Sequence, residues 1–275
     1  TFTVCGRLPS TEVLVPLLEK YLGSIPNSAG AGGATASHAD DLEARKDVKC
    51  LDVRFPSRSV REDVRLQMID PKGSNTISFP VCQGGAGPME EALRKRVRFS
   101  LVVQMLETRL VEALRFKRGQ VYTVSVADDF SLASPHVDAT QHGVLSISFE
   151  CDPLEADELI AATQTEIAEL RSGTAAFTDA QVVAACEQER RKFEESSRTN
   201  SFWAESILAT YFSRQMASTE DVGKAFSQWW STRLQVLDSF DVEAATKTFR
   251  DMLPEDVACA VVSMRPKKSW TSWLC

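Results

Sequence analysis

The chain has 275 residues, 43% hydrophobic and 25% charged, with 31 basic side chains against 38 acidic ones and a formal net charge of −7. These proportions exclude a disordered, collagen-like or coiled-coil polypeptide and allow one large domain, or one domain plus part of another, with ample core. A net acidic chain argues against sequence-independent nucleic-acid binding, which needs a dominant cationic surface, and no apolar run approaches the roughly 20 residues of a membrane span.

Phe2–Cys5 reads as a short strand. Ser10 then opens a helix as its N-cap, with Leu14, Leu17, Leu18, Tyr21 and Leu22 as an apolar stripe and Gly23 as a left-handed stop. Residues 27–49 shift to Gly, Ala, Ser and charge, the composition of a linker. Cys50–Phe55, Val64–Ile69 and Thr76–Cys82 are strand candidates divided by Pro56-Ser57 and Asp70-Pro71-Lys72-Gly73 turn chemistry. The spacing of Leu93, Val97, Leu101, Met105, Leu106, Leu110 and Leu114 predicts a long helix over 89–115 with one buried stripe. Val121–Val126 is a β-branched run. Gly143–Cys151 alternates Leu145, Ile147, Phe149 and Cys151 with Ser146, Ser148 and Glu150, the cleanest strand signal in the chain.

Asp152-Pro-Leu-Glu155 reads as a helix start with Asp152 as N-cap, and the helix ends near Ser172-Gly173. Thr178 and Gln181 form a capping box that opens a helix running to about Arg214. Helices near 218–233 and 240–252 and a buried strand at Val257–Met264 complete an α+β layout of antiparallel sheet with helices on one face.

Several arrangements carry no chemistry. The seven cysteines are scattered and never spaced Cys-x-x-Cys, so they are expected to be reduced thiols, which points to a reducing intracellular or organellar compartment. His38, His136 and His142 lack the i, i+3 or i, i+4 spacing of paired ligands, so no metal is expected on this chain. Gly30–Gly33 and Gly84–Gly87 match neither phosphate-binding glycine pattern. Arg94-Lys-Arg96 and Arg98 read as a solvated helix face. Trp229, Trp230, Trp270 and Trp273 read as core or interface anchors, and no Ser/His/Asp or Cys/His set is defensible. One segment differs. From Leu114-Arg115 to Val121-Tyr122 the chain leaves the long helix, turns at Gly119 and enters a strand, an arrangement able to aim a guanidinium and a phenol at one spot above the sheet. Such a pair can hydrogen-bond peptide carbonyls or a developing oxyanion.

With its neighbours this segment resembles the C-terminal domain of the pitrilysin/insulinase family of zinc peptidases, whose metal motif is H-x-x-E-H. Phe2-Thr-Val-Cys-Gly-Arg-Leu-Pro9 followed by Leu17-Leu-Glu-Lys-Tyr-Leu-Gly-Ser-Ile-Pro26 is similar to the strand and helix that complete one family domain. Leu114 to Tyr122, Gly143-Val-Leu-Ser-Ile-Ser-Phe149, the Ile167–Leu170 helix end with Gly173, and Asn200-Ser-Phe-Trp203 follow in family order. The resemblance implies a LuxS/MPP-like metallopeptidase fold. It divides the chain into 1–26, the last strand and helix of a preceding family domain, the 27–49 linker, and a C-terminal peptidase domain over 50–275. It also implies that Arg115 and Tyr122 bind the substrate backbone, with Tyr122 additionally stabilising the transition state. H-x-x-E-H occurs nowhere here. Zinc is therefore expected in the full-length enzyme but outside this chain, and this fragment alone is expected to be inactive. The expected partners are a peptide substrate and the N-terminal half of the same enzyme or a partner subunit, with no nucleic acid and no membrane. The alternative is a catalytically inactive scaffold or recognition subunit of the processing-peptidase or respiratory core-protein type.

Overall fold

A computed structural model of the chain describes residues 4–25, 58–69, 72–83, 89–116, 121–130, 141–214 and 219–267. The strongest period-2 segment organises the rest. Strand β4 (Gln141–Cys151) pairs antiparallel with β2 (Gly73–Gln83), Ile77 lying opposite Ile147 and Phe79 opposite Leu145. Strand β3 (Val121–Phe130) pairs antiparallel on the other side of β4. Strand β5 (Ala260–Pro266) pairs antiparallel with β2, and β1 (Val60–Leu66) completes the sheet as a parallel neighbour of β5. The order is β1-β5-β2-β4-β3, so both the first and the last strand of the chain lie on one side of the central pair.

One face of this sheet is apolar: Ile77, Phe79, Val81, Leu145, Ile147 and Phe149 are all buried beneath helices. The other face is polar and only partly covered. Thr76 and Ser148 hydroxyls meet at 3.1 Å, and those of Ser78 and Ser146 at 3.2 Å, a cross-strand hydroxyl ladder between β2 and β4. Helix α1 (Thr11–Tyr21) precedes the sheet. Helix α2 (Met89–Leu110) crosses the apolar face, continued by a π-helical turn at Val111–Phe116. The remaining helices are α3 (Ala156–Ser172), α4 (Asp179–Ser196), α5 (Asn200–Arg214), α6 (Thr219–Ser239) and α7 (Val242–Met252). Helix α2 buries more than a single stripe. Val97, Leu101, Met105, Leu106, Leu110 and Leu114 face inward as the periodicity predicts, but Phe99, Val102 and Val103 are buried too, because α4, α6 and α7 pack over it.

Local signals succeed where they satisfy hydrogen bonds. Thr178 accepts from the Gln181 amide at 3.2 Å while the Gln181 side chain accepts from the Thr178 amide at 3.0 Å, a complete capping box. Gly173 ends α3 at φ 79°, its amide and that of Ala175 both donating to the Glu169 carbonyl.

Other boundaries move. Gly23 is not left-handed. It follows an αR residue, Leu22, and its hydrogen is needed because a Cβ there would lie 2.6 Å from the Glu19 carbonyl oxygen. Asp152 caps a turn, accepting from Leu154 at 2.8 Å, and α3 begins only at Ala156. The helix expected from 179 to 214 breaks after Ser196, where Ser196, Ser197 and Thr199 hydroxyls all bond back to nearby carbonyls. Strand β1 is displaced towards the N-terminus of its expected range because it is an edge strand of charged sequence, VREDVRL, placed by its pairing with β5. The strand expected at Phe2–Cys5 lies partly outside the described residues, and Val4 and Cys5 are irregular. The 27–49 linker, the Cys50–Phe55 strand, Gly84–Gly87, the side chains of the three histidines, and Trp270 and Trp273 lie outside them.

Candidate functional site

The segment singled out by sequence is also where both of its secondary-structure elements are irregular. At its C-terminal end α2 widens into the π-helical turn Val111–Phe116, a geometry that is rare and concentrates at functional positions. Within that turn Ala113 and Leu114 are buried, whereas Arg115 is exposed. The apolar pair anchors the turn and leaves the guanidinium outside the core. The turn packs directly against β3.

Strand β3 begins with a second irregularity. Val121 is opposite Cys151 and Thr123 is opposite Glu150, so the register slips by one residue at Tyr122. The burial pattern shows the same slip. Val121 and Val126 are both 6% exposed although an odd number of positions separates them, which strict alternation forbids. A bulge of this kind increases local twist and re-aims the strand, and such features are frequent beside active sites. Arg115 thus occupies a widened turn and Tyr122 a bulge on the element it contacts, at the end of the sheet where β4 finishes. The Tyr122 side chain and residues 117–120 lie outside the described residues.

Two features that sequence reasoning did not single out surround this end of the sheet. Glu107, on α2, accepts the Val126 backbone N–H at 2.8 Å and so ties α2 to β3. Beside the bulge a buried polar chain begins. The Cys151 thiol, its pKa pushed up by burial, accepts from the Asn75 amide at 3.3 Å. The Asn75 oxygen accepts from Ser263 at 2.7 Å, and the Ser263 hydroxyl accepts from Arg265 Nε at 2.8 Å. Arg265 then holds Asp157 through two bonds of 3.0 and 2.6 Å, and Arg61 adds a further bond to the same carboxylate. Asp157 is consequently held well below the ordinary carboxylate range, first by Arg265 and then by Arg61. The only sequence signal for this chain is the inward position of Ser263 and Arg265 on a strand that otherwise reads as apolar.

Among the described residues no group of three or more His, Cys, Asp or Glu side chains is placed to hold a metal ion, and no helix is long and apolar enough to cross a membrane. Cys5, Cys151, Cys186 and Cys259 are free thiols. The basic cluster on α2 is partly engaged: Arg94 pairs with Glu90 at 2.6 Å and reaches Gln235 at 2.7 Å. Trp229 and Trp230 join Phe193 in an aromatic cluster between α4 and α6, beside a cavity of about 350 Å³ that takes none of its lining from Arg115 or β3.

A family model described as "Peptidase M16 inactive domain" matches residues 1–189. A protein described as "Zinc protease PQQL-like" from Arabidopsis thaliana is 30% identical over 256 residues, covering 92% of this chain and 25% of that protein. The solved periplasmic protease PqqL from Escherichia coli superposes with a TM-score of 0.62 at 17% identity, over 94% of this chain and 24% of PqqL. A peptidase M16 inactive domain from Pseudomonas fluorescens gives a TM-score of 0.56 at 15% identity, over 86% of this chain and 52% of that one. The chain therefore spans about a quarter of the length of the first two of these relatives.

Proposed function

The chain belongs to the Peptidase M16 inactive domain family, and on that premise we propose that it is the C-terminal, substrate-binding part of a zinc metalloendopeptidase that hydrolyses peptides inside a closed chamber. The observation that carries this reading is the contact between the π-helical turn bearing exposed Arg115 and the bulged start of β3 bearing Tyr122. In the complete enzyme Arg115 fixes a substrate carbonyl by charge-assisted hydrogen bonding, and the Tyr122 phenol donates to the oxyanion that forms at the scissile carbon. H-x-x-E-H occurs nowhere in the sequence, and on this reading the metal is held by the N-terminal half of the enzyme or by a partner subunit. Helix α1 supports the division at residue 26. It buries none of its residues, and Val13, Leu17 and Tyr21 are 52%, 43% and 63% exposed, as befits a helix that completes a neighbouring domain.

The test is Tyr122→Phe in the full-length enzyme. Loss of one oxyanion donor lowers turnover by about 10²–10³, with unchanged thermal unfolding. Peptide cleavage at the wild-type rate removes Tyr122 from the mechanism. The description "inactive domain" favours a second reading, a scaffold or recognition subunit without chemistry of its own. Full-length protein that carries no H-x-x-E-H and cleaves no peptide when supplied with zinc establishes that alternative.

A further inference from the structure

A helix end and a strand start joined by a short connection hold their side chains in register only if something fixes the helix against the strand. Hydrophobic packing between α2 and β3 resists separation but permits sliding, because apolar contact is non-directional. A hydrogen bond between the two elements resists both. The structure provides one: the Glu107 carboxylate Oε2 takes the Val126 backbone N–H at 2.8 Å.

The location of that bond is informative. Val126 lies on β3, downstream of the bulge at Tyr122. Among the described residues β3 is the sheet edge, paired only with β4, and its Val126 N–H turns to a side chain on α2. Glu107 lies on the same helix as Arg115, roughly two turns earlier, and is half-buried between α2 and β3. A neutral donor and a charged acceptor make one of the stronger classes of hydrogen bond, about twice the strength of a neutral pair. Both irregular segments, the π-helical turn and the bulge, lie on the loop side of this tie.

We propose that Glu107 is a positioning residue for the site. It locks α2 to the β3 edge and thereby sets the separation and relative direction of Arg115 and Tyr122, without touching substrate itself. This inference rests on the reading of Arg115 and Tyr122 given above.

The experiment measures peptide cleavage by the full-length enzyme carrying Glu107→Ala, Glu107→Met or Glu107→Gln, each alone and combined with Tyr122→Phe. Amide exchange at Val126 is followed in the same proteins. Gln keeps an oxygen acceptor for the Val126 N–H; Ala and Met remove it, and Met retains side-chain length and apolar packing should Ala fail to fold. The expected result is a kcat about 10- to 100-fold lower for Ala and Met, the size of effect that a displacement near 1 Å produces, with KM little changed and Val126 exchange accelerated. Gln restores turnover and exchange protection towards wild type. In the Tyr122→Phe background the Ala and Met changes cost less than in wild type, since the part of their effect that runs through the Tyr122 phenol is already gone. Wild-type turnover in Ala and Met, loss in Gln equal to that in Ala, or full additivity with Tyr122→Phe overturns the inference. If Tyr122→Phe lowers turnover but Glu107→Met does not, only the positioning role falls. If Tyr122→Phe is itself silent, both fall.

Discussion

The helix layer contains a buried ion pair whose removal separates two opposing effects. Glu189 on α4 is 4% exposed and pairs with Arg233 on α6, while Gln104 on α2 donates to its other oxygen at 2.9 Å. The Arg233 guanidinium lies 5.5 Å from the Phe193 ring centre and 5.6 Å from that of Trp229, and its burial pushes its pKa down. Glu189→Leu removes the counter-ion and the Gln104 acceptor together and leaves a desolvated cation among aromatic rings. Breaking a buried pair from one side costs about 3–5 kcal/mol, which for a domain of this size lowers the midpoint of thermal unfolding by about 10 °C. Arg233→Met costs a similar amount, by stranding the Glu189 carboxylate. The double variant leaves no buried charge and is expected to recover most of the loss, because an apolar pair of similar volume is often as stable as the ions it replaces. Trp229 and Trp230 adjoin the pair, so urea unfolding followed by tryptophan fluorescence, set beside circular dichroism, measures all four proteins. A double variant no more stable than either single one refutes the reasoning, as does a Glu189→Leu cost below about 1 kcal/mol, the level of an exposed pair.

Acid should weaken the polar chain that ends at Asp157. Its folded pKa is depressed by Arg265 and Arg61, so the stabilisation is present above the unfolded carboxylate value of about 3.9 and is lost as pH falls below it. Thermal melts between pH 7 and pH 3 are expected to show wild type losing stability below about pH 4, and Asp157→Asn starting lower at pH 7 but declining less steeply. Thr178→Ala removes one arm of the capping box and is expected to cost about 1 kcal/mol, a midpoint shift of about 2–4 °C in the melt; an unchanged midpoint makes the box ornamental.

Much of the architecture is legible in the sequence because it follows from short-range rules. Alternation along Gly143–Cys151 predicts both faces of β4, and the Thr178/Gln181 and Gly173 signals place helix ends that the structure satisfies with hydrogen bonds. The errors occur where distant partners decide. Strand β1 takes its position from β5, and the break between α4 and α5 depends on hydroxyls bonding back to carbonyls. The site divides in the same way. Arg115 and Tyr122 stand out by residue type and by family order, but the π-helical turn and the bulge that hold them have no local signature. Nor does Glu107, which reads as one more charge on a long helix until the β3 edge is placed beside it.

The strand order also dictates when the domain can assemble. Strand β5 is wedged between β1 and β2, Val60 lying beside Ala260 and Ile77 beside Val261, so among the described strands the first has no neighbour until the last one has been synthesised. Contacts between such distant positions slow folding, since the intervening chain must close before they repay its lost entropy. As the polypeptide emerges, β3 and β4 can pair and set β4 beside β2 under α2, while β1 waits with its amides open. The C-terminal strand is thus the keystone of the sheet. A chain stopped short of it releases β1, strands Asn75 without its Ser263 partner, and exposes Val261's place beside Ile77 as a gap in the core.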